Sequence, residues 1–307
     1  MKKKILITGG TGFLGSHYLK FLKKKKVFSL FSLSRNYPSL QKKIKGVKYL
    51  KCDLASKKDL RKISKIKFDY IVNFAGNINH KEKVKTFNSH YKGVLNLVKS
   101  INRKHLLKFV QIGSSVEYGK INSPHHESKK IPSSKKIYSA YGQSKLLTTI
   151  FLMKENIKNN FPSVIIRPYL IYGPNQTIDR LIPFTIVSCL QNKEFPCSSG
   201  NQIRDFLYVS DAINFIYKIM IGNDVGKIFN LGSGKRLKVR NLINSIVKQC
   251  EGGKPLFGKL KFRKDEVINL YPSISLARSK NWEPLVSLMK GLKITVKHFK
   301  KTLKNEK

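Results

Sequence analysis

The nonapeptide ITGGTGFLG, Ile7–Gly15, lies between an apolar run, KILIT (4–8), and a helix-like stretch, SHYLKFLKK (16–24). Gly9, Gly12 and Gly15 let the backbone approach a pyrophosphate, and the helix that follows offers amide donors and a partial positive charge at its start. Three glycines alone specify only a tight turn. With a strand before them and a helix after them, the spacing reads as a dinucleotide cradle.

The rest of the first half repeats that alternation. VFSLFSLS (27–34), VKYLKCD (47–53), DYIVNFA (69–75), KFVQIGSS (108–115) and SVIIRPYL (163–170) are strand-like, with helical patterns at 84–101 and 141–158. Strands alternating with helices imply a parallel sheet covered on both faces. After Tyr172-Gly173-Pro174 the pattern is less regular, with prolines at 183, 196, 255 and 272 and helices expected near 180–191, 210–221, 238–250 and 287–303. KIFNLGS (227–233) reads as a strand returning to the main sheet. The expected fold is α/β, a doubly wound parallel (Rossmann) sheet with a smaller, mostly helical C-terminal substrate domain. Residues 1–172, with 205–233 returning, would form the cofactor domain, and 173–307 the substrate domain, built largely from insertions.

A 307-residue chain with 41% hydrophobic residues can bury a sizeable core. The apolar run Ile5–Ile7 is too short for a signal-peptide core, and no run approaches a membrane span, so a soluble, cytoplasmic protein is expected. Cys52, Cys189, Cys197 and Cys250 are scattered without a C-x-x-C pair, which implies reduced structural thiols and no metal site. Sixty-one Lys+Arg against 17 Asp+Glu give a formal charge of +44. Such a field attracts polyanions, but the lysines are spread through nearly every segment, without a basic arm or a zinc-finger spacing. The expected role of the charge is to gather small anionic substrates, with no dedicated nucleic-acid or membrane partner.

In NAD sites an acid about 20 residues beyond the glycines accepts bonds from the ribose 2′-hydroxyl. No Asp or Glu precedes Asp53, and the second strand ends in Ser34, Arg35 and Asn36. An arginine there suits a 2′-phosphate, so NADP(H) is favoured, with NAD(H) as the alternative. Asp53-Leu54 would face the adenine or cap a helix over 56–64. Further along, YSAYGQSK places Tyr141 and Lys145 on one helix face. A neighbouring ammonium favours the phenolate and brings a phenol toward the working pH range. Tyr138 is the rival phenol.

These features, with GSSVEYG (113–119), RPYLIYGP (167–174), IRDFLYVSDA (203–212), FNLGSG (229–234) and the closing FGKLKFRKDE…WEP, make nearly the whole chain resemble the extended short-chain dehydrogenase/reductases. It is specifically similar to the NAD-dependent epimerase/dehydratase family acting on nucleotide sugars. The resemblance implies that Ser114 holds the reacting oxygen, that Tyr141 is the acid/base and that Lys145 also holds the nicotinamide ribose. It implies cofactor contacts from Gly9, Thr11, Gly12, Phe13, Leu14 and Gly15, and from Ser34, Arg35, Asn36, Asp53, Leu54, Ala75, Tyr141 and Lys145. A homodimer is expected.

Family members that eliminate water carry an Asp-Glu pair after the catalytic hydroxyl; Ser115-Val116 stands here. Glu117 is one position further on, which on a strand would turn it to the opposite face and make it structural. Reductases and epimerases remain. The end of the second strand favours reduction, and GNQIRDFLYVSDA and FGKLKFRKDEV resemble CDP-abequose and CDP-paratose synthases. On that resemblance the reaction is NADPH-dependent reduction of a nucleotide-diphosphate 4-keto(-6-deoxy)hexose, with Ser115, Arg204 and Arg263 facing the substrate. The alternatives are a nucleotide-sugar 4-epimerase with tightly bound NAD and, in a different class, a non-catalytic cofactor-sensing or nucleic-acid-associated protein. Intact Ser114, Tyr141 and Lys145 argue against the last. Two departures from the family are Leu170, where a substrate-contacting Asn is common, and His90, read as a packing or hydrogen-bonding residue at another common Asn.

Overall fold

Ile5, Leu6 and Ile7 are fully buried on both faces of the first strand, as the centre of a sheet covered by helices requires. The computed structural model describes residues 2–77, 82–127, 137, 139–262 and 266–305. Strands β1 (Lys3–Thr8), β2 (Phe28–Ser34), β3 (Val47–Lys51), β4 (Tyr70–Asn73), β5 (Lys108–Ile112), β6 (Ser163–Pro168) and β11 (Ile228–Leu231) form a seven-stranded sheet in the order β11-β6-β5-β4-β1-β2-β3. The pairs from β3 through to β6 are parallel and in continuous register, for example Ile7 with Ser32 and with Val72. The strand order reverses at β1 and β4, so the carboxyl ends of those two strands border the crevice where this architecture takes ligands. The expected strands and the doubly wound class are present. KIFNLGS does enter the sheet.

The chain divides into two compact units, one of Met1–Lys120, Glu127–Pro168 and Ile213–Phe229, the other of Ile121–His126, Tyr169–Ala212 and Asn230–Lys307. In the first unit, α1 (Phe13–Lys25) follows the glycine turn and ends in three lysines, whose charges suit the negative end of the helix dipole. Helix α2 (Lys57–Ser64) is capped by Ser56, whose hydroxyl accepts from the Asp59 amide. The stretch expected as one helix over 84–101 is α3 (Lys83–Phe87), a π-helical turn (Asn88–Lys92) and α4 (Gly93–Ser100). Helix α5 (Ala140–Asn159) is capped by Ser139 and stopped by Asn160 in the left-handed region. Leu6, Leu33, Ile71, Phe109 and Ile165 from five strands share one core cluster with Leu60, Val94, Leu97 and Leu152 from the covering helices.

The second unit contains α6 (Leu181–Leu190), β7 (Leu170–Tyr172) paired with β10 (Phe206–Tyr208), and β8 (Glu194–Cys197) paired with β13 (Lys254–Phe257). Strand β9 (Ile203–Arg204) lies between β12 (Leu237–Lys238) and β14 (Asn269–Leu270). Helix α7 (Val209–Ile221) begins in this unit, which also holds α8 (Val239–Cys250), α9 (Ser275–Arg278) and α10 (Leu288–Asn305). Two buried carboxylates hold its loops. Asp205 accepts from the Ser233 and Lys235 amides at 2.6 and 3.1 Å, and Asp211 from those of Leu285 and Val286 at 3.1 and 2.9 Å. No helix among the described residues is long and apolar enough to cross a membrane.

Gly15 is where the turn and α1 pack most closely. A Cβ there would run into the Gly9 carbonyl oxygen and lie 2.8 Å from the Gly10 Cα. Gly15→Ala is therefore expected to lower stability by about 1–3 kcal/mol through overpacking, read as a drop in urea midpoint at unchanged slope. An unchanged midpoint would mean that the helix can move off the turn without cost.

Candidate active site

The carboxyl ends of three strands are joined by side chains. The Thr8 hydroxyl on β1 bonds to Asn73 Oδ1 on β4, Asn73 Nδ2 donates to Gln111 Oε1 on β5 at 2.8 Å, and Gln111 Nε2 donates to the Ile112 carbonyl at 2.9 Å. That carbonyl also accepts from Lys145 Nζ at 2.7 Å. All four side chains are buried, so the row is satisfied internally, as buried polar groups must be. Sequence reasoning did not find Thr8, Asn73 or Gln111. Their signal was a polar residue at or near the carboxyl end of three otherwise apolar strands, and only the pairing order makes them neighbours.

At one end of the row stands the glycine turn. Gly9 has φ +66°, and a Cβ on it would come within 2.9 Å of the Ala75 amide nitrogen. Gly12 is the N-cap of α1 with no side-chain cap and no acid in the first turn, so no carboxylate competes for the helix's first amides. The Gly12 amide closes the turn on the Gly9 carbonyl at 3.0 Å. A backbone this close, with an uncapped helix start, fits the diphosphate of a nicotinamide dinucleotide, which Phe13 and Leu14 would receive on their amides. Thr11 and Gly12 are exposed, and Phe13 and Leu14 half-buried. The Ala75 amide is turned back onto Asn73 Oδ1 (3.2 Å) and Thr8 Oγ1 (3.4 Å).

At the end of β2, the Ser34 hydroxyl donates to the Asn36 carbonyl at 2.8 Å, a local turn that leaves Arg35 and Asn36 exposed. Asp53 does not cap α2. Its Oδ1 accepts from the Ala55 amide and Ser56 takes the cap, because the hydroxyl of Ser56 is the one in reach of the Asp59 amide. The Leu54 side chain belongs to the hydrophobic core.

At the other end of the row, Tyr141 lies near the start of α5 and Lys145 one turn later, with Nζ 5.8 Å from the Tyr141 ring centroid. The His90 ring packs edge-on against Tyr141, centroids 5.0 Å apart, and its Nε2 lies 3.1 Å from the Asn77 carbonyl. Inserting the π-helical turn brings His90 inward, and a Cβ on Gly76 would overlap its ring. Burial pulls Lys145 down to about 8, with Glu117 opposing the shift.

Ser114 is extended and acts as N-cap of a 3₁₀ turn, Ser115–Tyr118, where a strand had been expected to continue. The face-alternation argument for Glu117 therefore does not apply. Glu117 points inward because it completes a capping box, accepting from the Ser114 amide at 2.7 Å. Ser115 is buried at the start of the turn. In the second unit, the Arg204 guanidinium pairs with Glu266 and donates to the Ile203 and Ile268 carbonyls at 2.8 and 3.1 Å. Leu170, the other departure from the family, is exposed on β7. Arg263 and Tyr138 lie outside the described residues.

Lys145 titrates below its ordinary 10.5, so the unfolded chain holds that proton more tightly and the buried ammonium opposes folding at all pH below about 8. The penalty fades as pH rises from about 8 to 10.5. Lys145→Met is expected to stabilise the fold at pH 7 by about 1–3 kcal/mol in urea titrations, with the gap closing above pH 8. A variant no more stable than wild type at pH 7 would show that Ile112 and Glu117 compensate the charge in full.

Residues 5–232 match the model of the NAD dependent epimerase/dehydratase family. A dTDP-D-glucose 4,6-dehydratase from Mus musculus is 25% identical over 327 residues, covering 99% of this chain and 91% of that protein. A UDP-glucuronate 4-epimerase from Thermodesulfobacterium geofontis is 26% identical, covering 97% and 96%. The crystal structure of the Thermotoga maritima UDP-glucose 4-epimerase with UDP-glucose has the same fold, with a TM-score of 0.90 at 23% identity over 98% of this chain and 99% of that one. With its glycine turn, doubly wound sheet and matched length, this chain belongs to the NAD dependent epimerase/dehydratase family.

Proposed function

We propose that the chain interconverts C4 epimers of a nucleoside-diphosphate hexose. A nicotinamide dinucleotide, when bound, would supply the hydride chemistry that inverting C4 requires. The carrying observation is the environment of residues 114–117. Lys145, with Tyr141 one turn before it, reaches the end of β5, where Ser114 follows, and among the described residues no carboxylate at 114–117 is left for eliminating water. Val116 has no proton to give, and Glu117 commits both oxygens to Ser114, Thr149 and Arg167.

On this reading, Tyr141 takes the proton of the C4 hydroxyl as the C4–H electron pair departs, and returns it when the ketone is reduced. The Lys145 ammonium favours the phenolate, and the Ser114 hydroxyl holds the C4 oxygen. Arg204 meets a substrate phosphate only by sharing its guanidinium with Glu266. Residues 1–172 with 205–233 hold the cofactor, and the remainder receives the nucleotide sugar.

A second reading has its own observation. The second strand ends without a carboxylate, and Arg35 is exposed beside Ser34 and Asn36. That arrangement suits a 2′-phosphate and NADPH consumed in reducing a 4-keto(-6-deoxy)hexose, as in CDP-abequose and CDP-paratose synthases.

The two readings part on what the purified protein holds. An epimerase should release NAD on acid denaturation, near one per chain, and should interconvert UDP-glucose and UDP-galactose, or UDP-glucuronate and its C4 epimer, without added cofactor. A reductase should carry none and consume NADPH with a nucleotide 4-keto sugar, preferring it to NADH by roughly 10- to 100-fold, a preference that Arg35→Ala would largely remove.

Both readings require Tyr141. Tyr141→Phe should lower turnover by a factor on the order of 10²–10⁴ while leaving cofactor binding nearly unchanged. Turnover above half of wild type would move the acid/base role to another phenol.

A further inference from the structure

The Glu117 carboxylate has no exposed surface, and three donors converge on it from three elements. The Ser114 amide reaches Oε1 at 2.7 Å, the Thr149 hydroxyl on α5 reaches Oε2 at 2.7 Å, and Arg167 Nε on β6 reaches Oε2 at 2.9 Å. Gly113 makes the room, since a Cβ there would collide with Oε1. The Arg167 guanidinium lies over the Tyr118 ring, 4.5 Å from its centroid.

Two effects follow at the reacting groups. The first is geometric. With the Ser114 amide fixed by Glu117, and Ser114 Oγ accepting from the Val116 amide at 3.4 Å, the serine keeps one backbone setting at the mouth of β5. The second is electrostatic. Lys145 faces the Ile112 carbonyl of β5, Tyr141 on its own helix, and the field of Glu117 from the 3₁₀ turn. Beyond these lie Arg167 on β6, Tyr118 in the turn, and His90 against Tyr141. Among the described residues, Glu117 is the carboxylate set beside the lysine. It bonds Thr149, one turn beyond Lys145 on α5, and the Ser114 amide, two residues past the carbonyl that holds Nζ, so its field favours the charged ammonium.

We propose that Glu117 is a positioning residue that orients Ser114 through its amide and keeps Lys145 charged, so that Tyr141 can ionise. This rests on the reading of Ser114, Tyr141 and Lys145 as the reacting groups. It gives a function to a carboxylate that stands one residue away from the place elimination chemistry would need it.

The test uses the full chain with NAD added, and reads the Tyr141 phenolate as ultraviolet absorbance, each protein minus its own Tyr141→Phe counterpart. Glu117→Gln keeps an acceptor for the Ser114 amide and removes the charge. The phenolate fraction at pH 8, where Lys145 itself titrates, is expected to fall at least about twofold. Because Glu117→Gln leaves Arg167 without its counter-charge, the double variant Glu117→Gln/Arg167→Met is measured as well, and the same fall is expected. An unchanged fraction in either folded variant, with wild-type near-ultraviolet circular dichroism, overturns the inference. So does failure of both to fold, which would make Glu117 a determinant of architecture only. If the wild type shows no Tyr141 phenolate below the range of an ordinary tyrosine, the reading of Tyr141 as the reacting phenol fails instead.

Discussion

Lys145 keeps an ammonium group at 5% exposure, and taking such a charge out of water costs several kcal/mol unless other groups replace the lost solvation. The Ile112 carbonyl at 2.7 Å and the field of Glu117 do part of this, and the remaining deficit holds Lys145 near 8. The carbonyl is itself held by Gln111, which is held by Asn73, which is held by Thr8 beside the glycine turn. One chain of hydrogen bonds thus sets the spacing of β1, β4 and β5, the turn that begins α1, and the depth at which α5 sits. A one-residue slip in any of these strands would turn its polar side chain to the other face and break the buried row.

Strands β1, β4, β5 and β6 were legible because a sheet buried on both faces makes a strand a largely apolar run. Strand β2 is interrupted by serines and β3, at the sheet edge, by lysines, and both were read from their place between glycine turns and helical periodicity. Tyr141 and Lys145 were legible because a helix puts residues four apart on one face. Residues 115–118 were misread as more strand. A capping box formed by Ser114 and Glu117 closes the backbone into a 3₁₀ turn, and three-residue periodicity replaces alternation. The Thr8–Asn73–Gln111 row could not be read at all, since its members are 65 and 38 residues apart and meet only through the strand order. The same holds for Arg167, which reads as part of RPYLIYGP while its partner Glu117 is 50 residues away.

Few acids stand against many bases, and several of the acids are occupied internally. Asp205 and Asp211 clamp loops by their amides, Glu117 pairs with Arg167, and Glu266 with Arg204. The acids of IRDFLYVSDA are thereby explained as loop anchors rather than as reacting groups. Burial raises the pKa of both Asp205 and Asp211, and the amide bonds pull the other way. What remains outside is a surface dominated by lysine. Its field reaches about 8 Å at physiological salt, enough to enrich small anions near the protein without any single dedicated residue.

The position of one carboxylate separates the chemistries open to this scaffold. In a 3₁₀ turn successive residues are about 120° apart, so moving an acid from 116 to 117 sends it to a different wall. At 117 it meets Arg167 and Thr149 behind the sheet end, and it acts on the lysine's charge instead of on a substrate proton. The end of β2, where Arg35 and Asn36 follow Ser34 into solvent, takes no part in these bonds. On the proposed reading, Ser114, Tyr141 and Lys145 would serve epimerisation or reduction alike, and the residues at the end of β2 would decide between them.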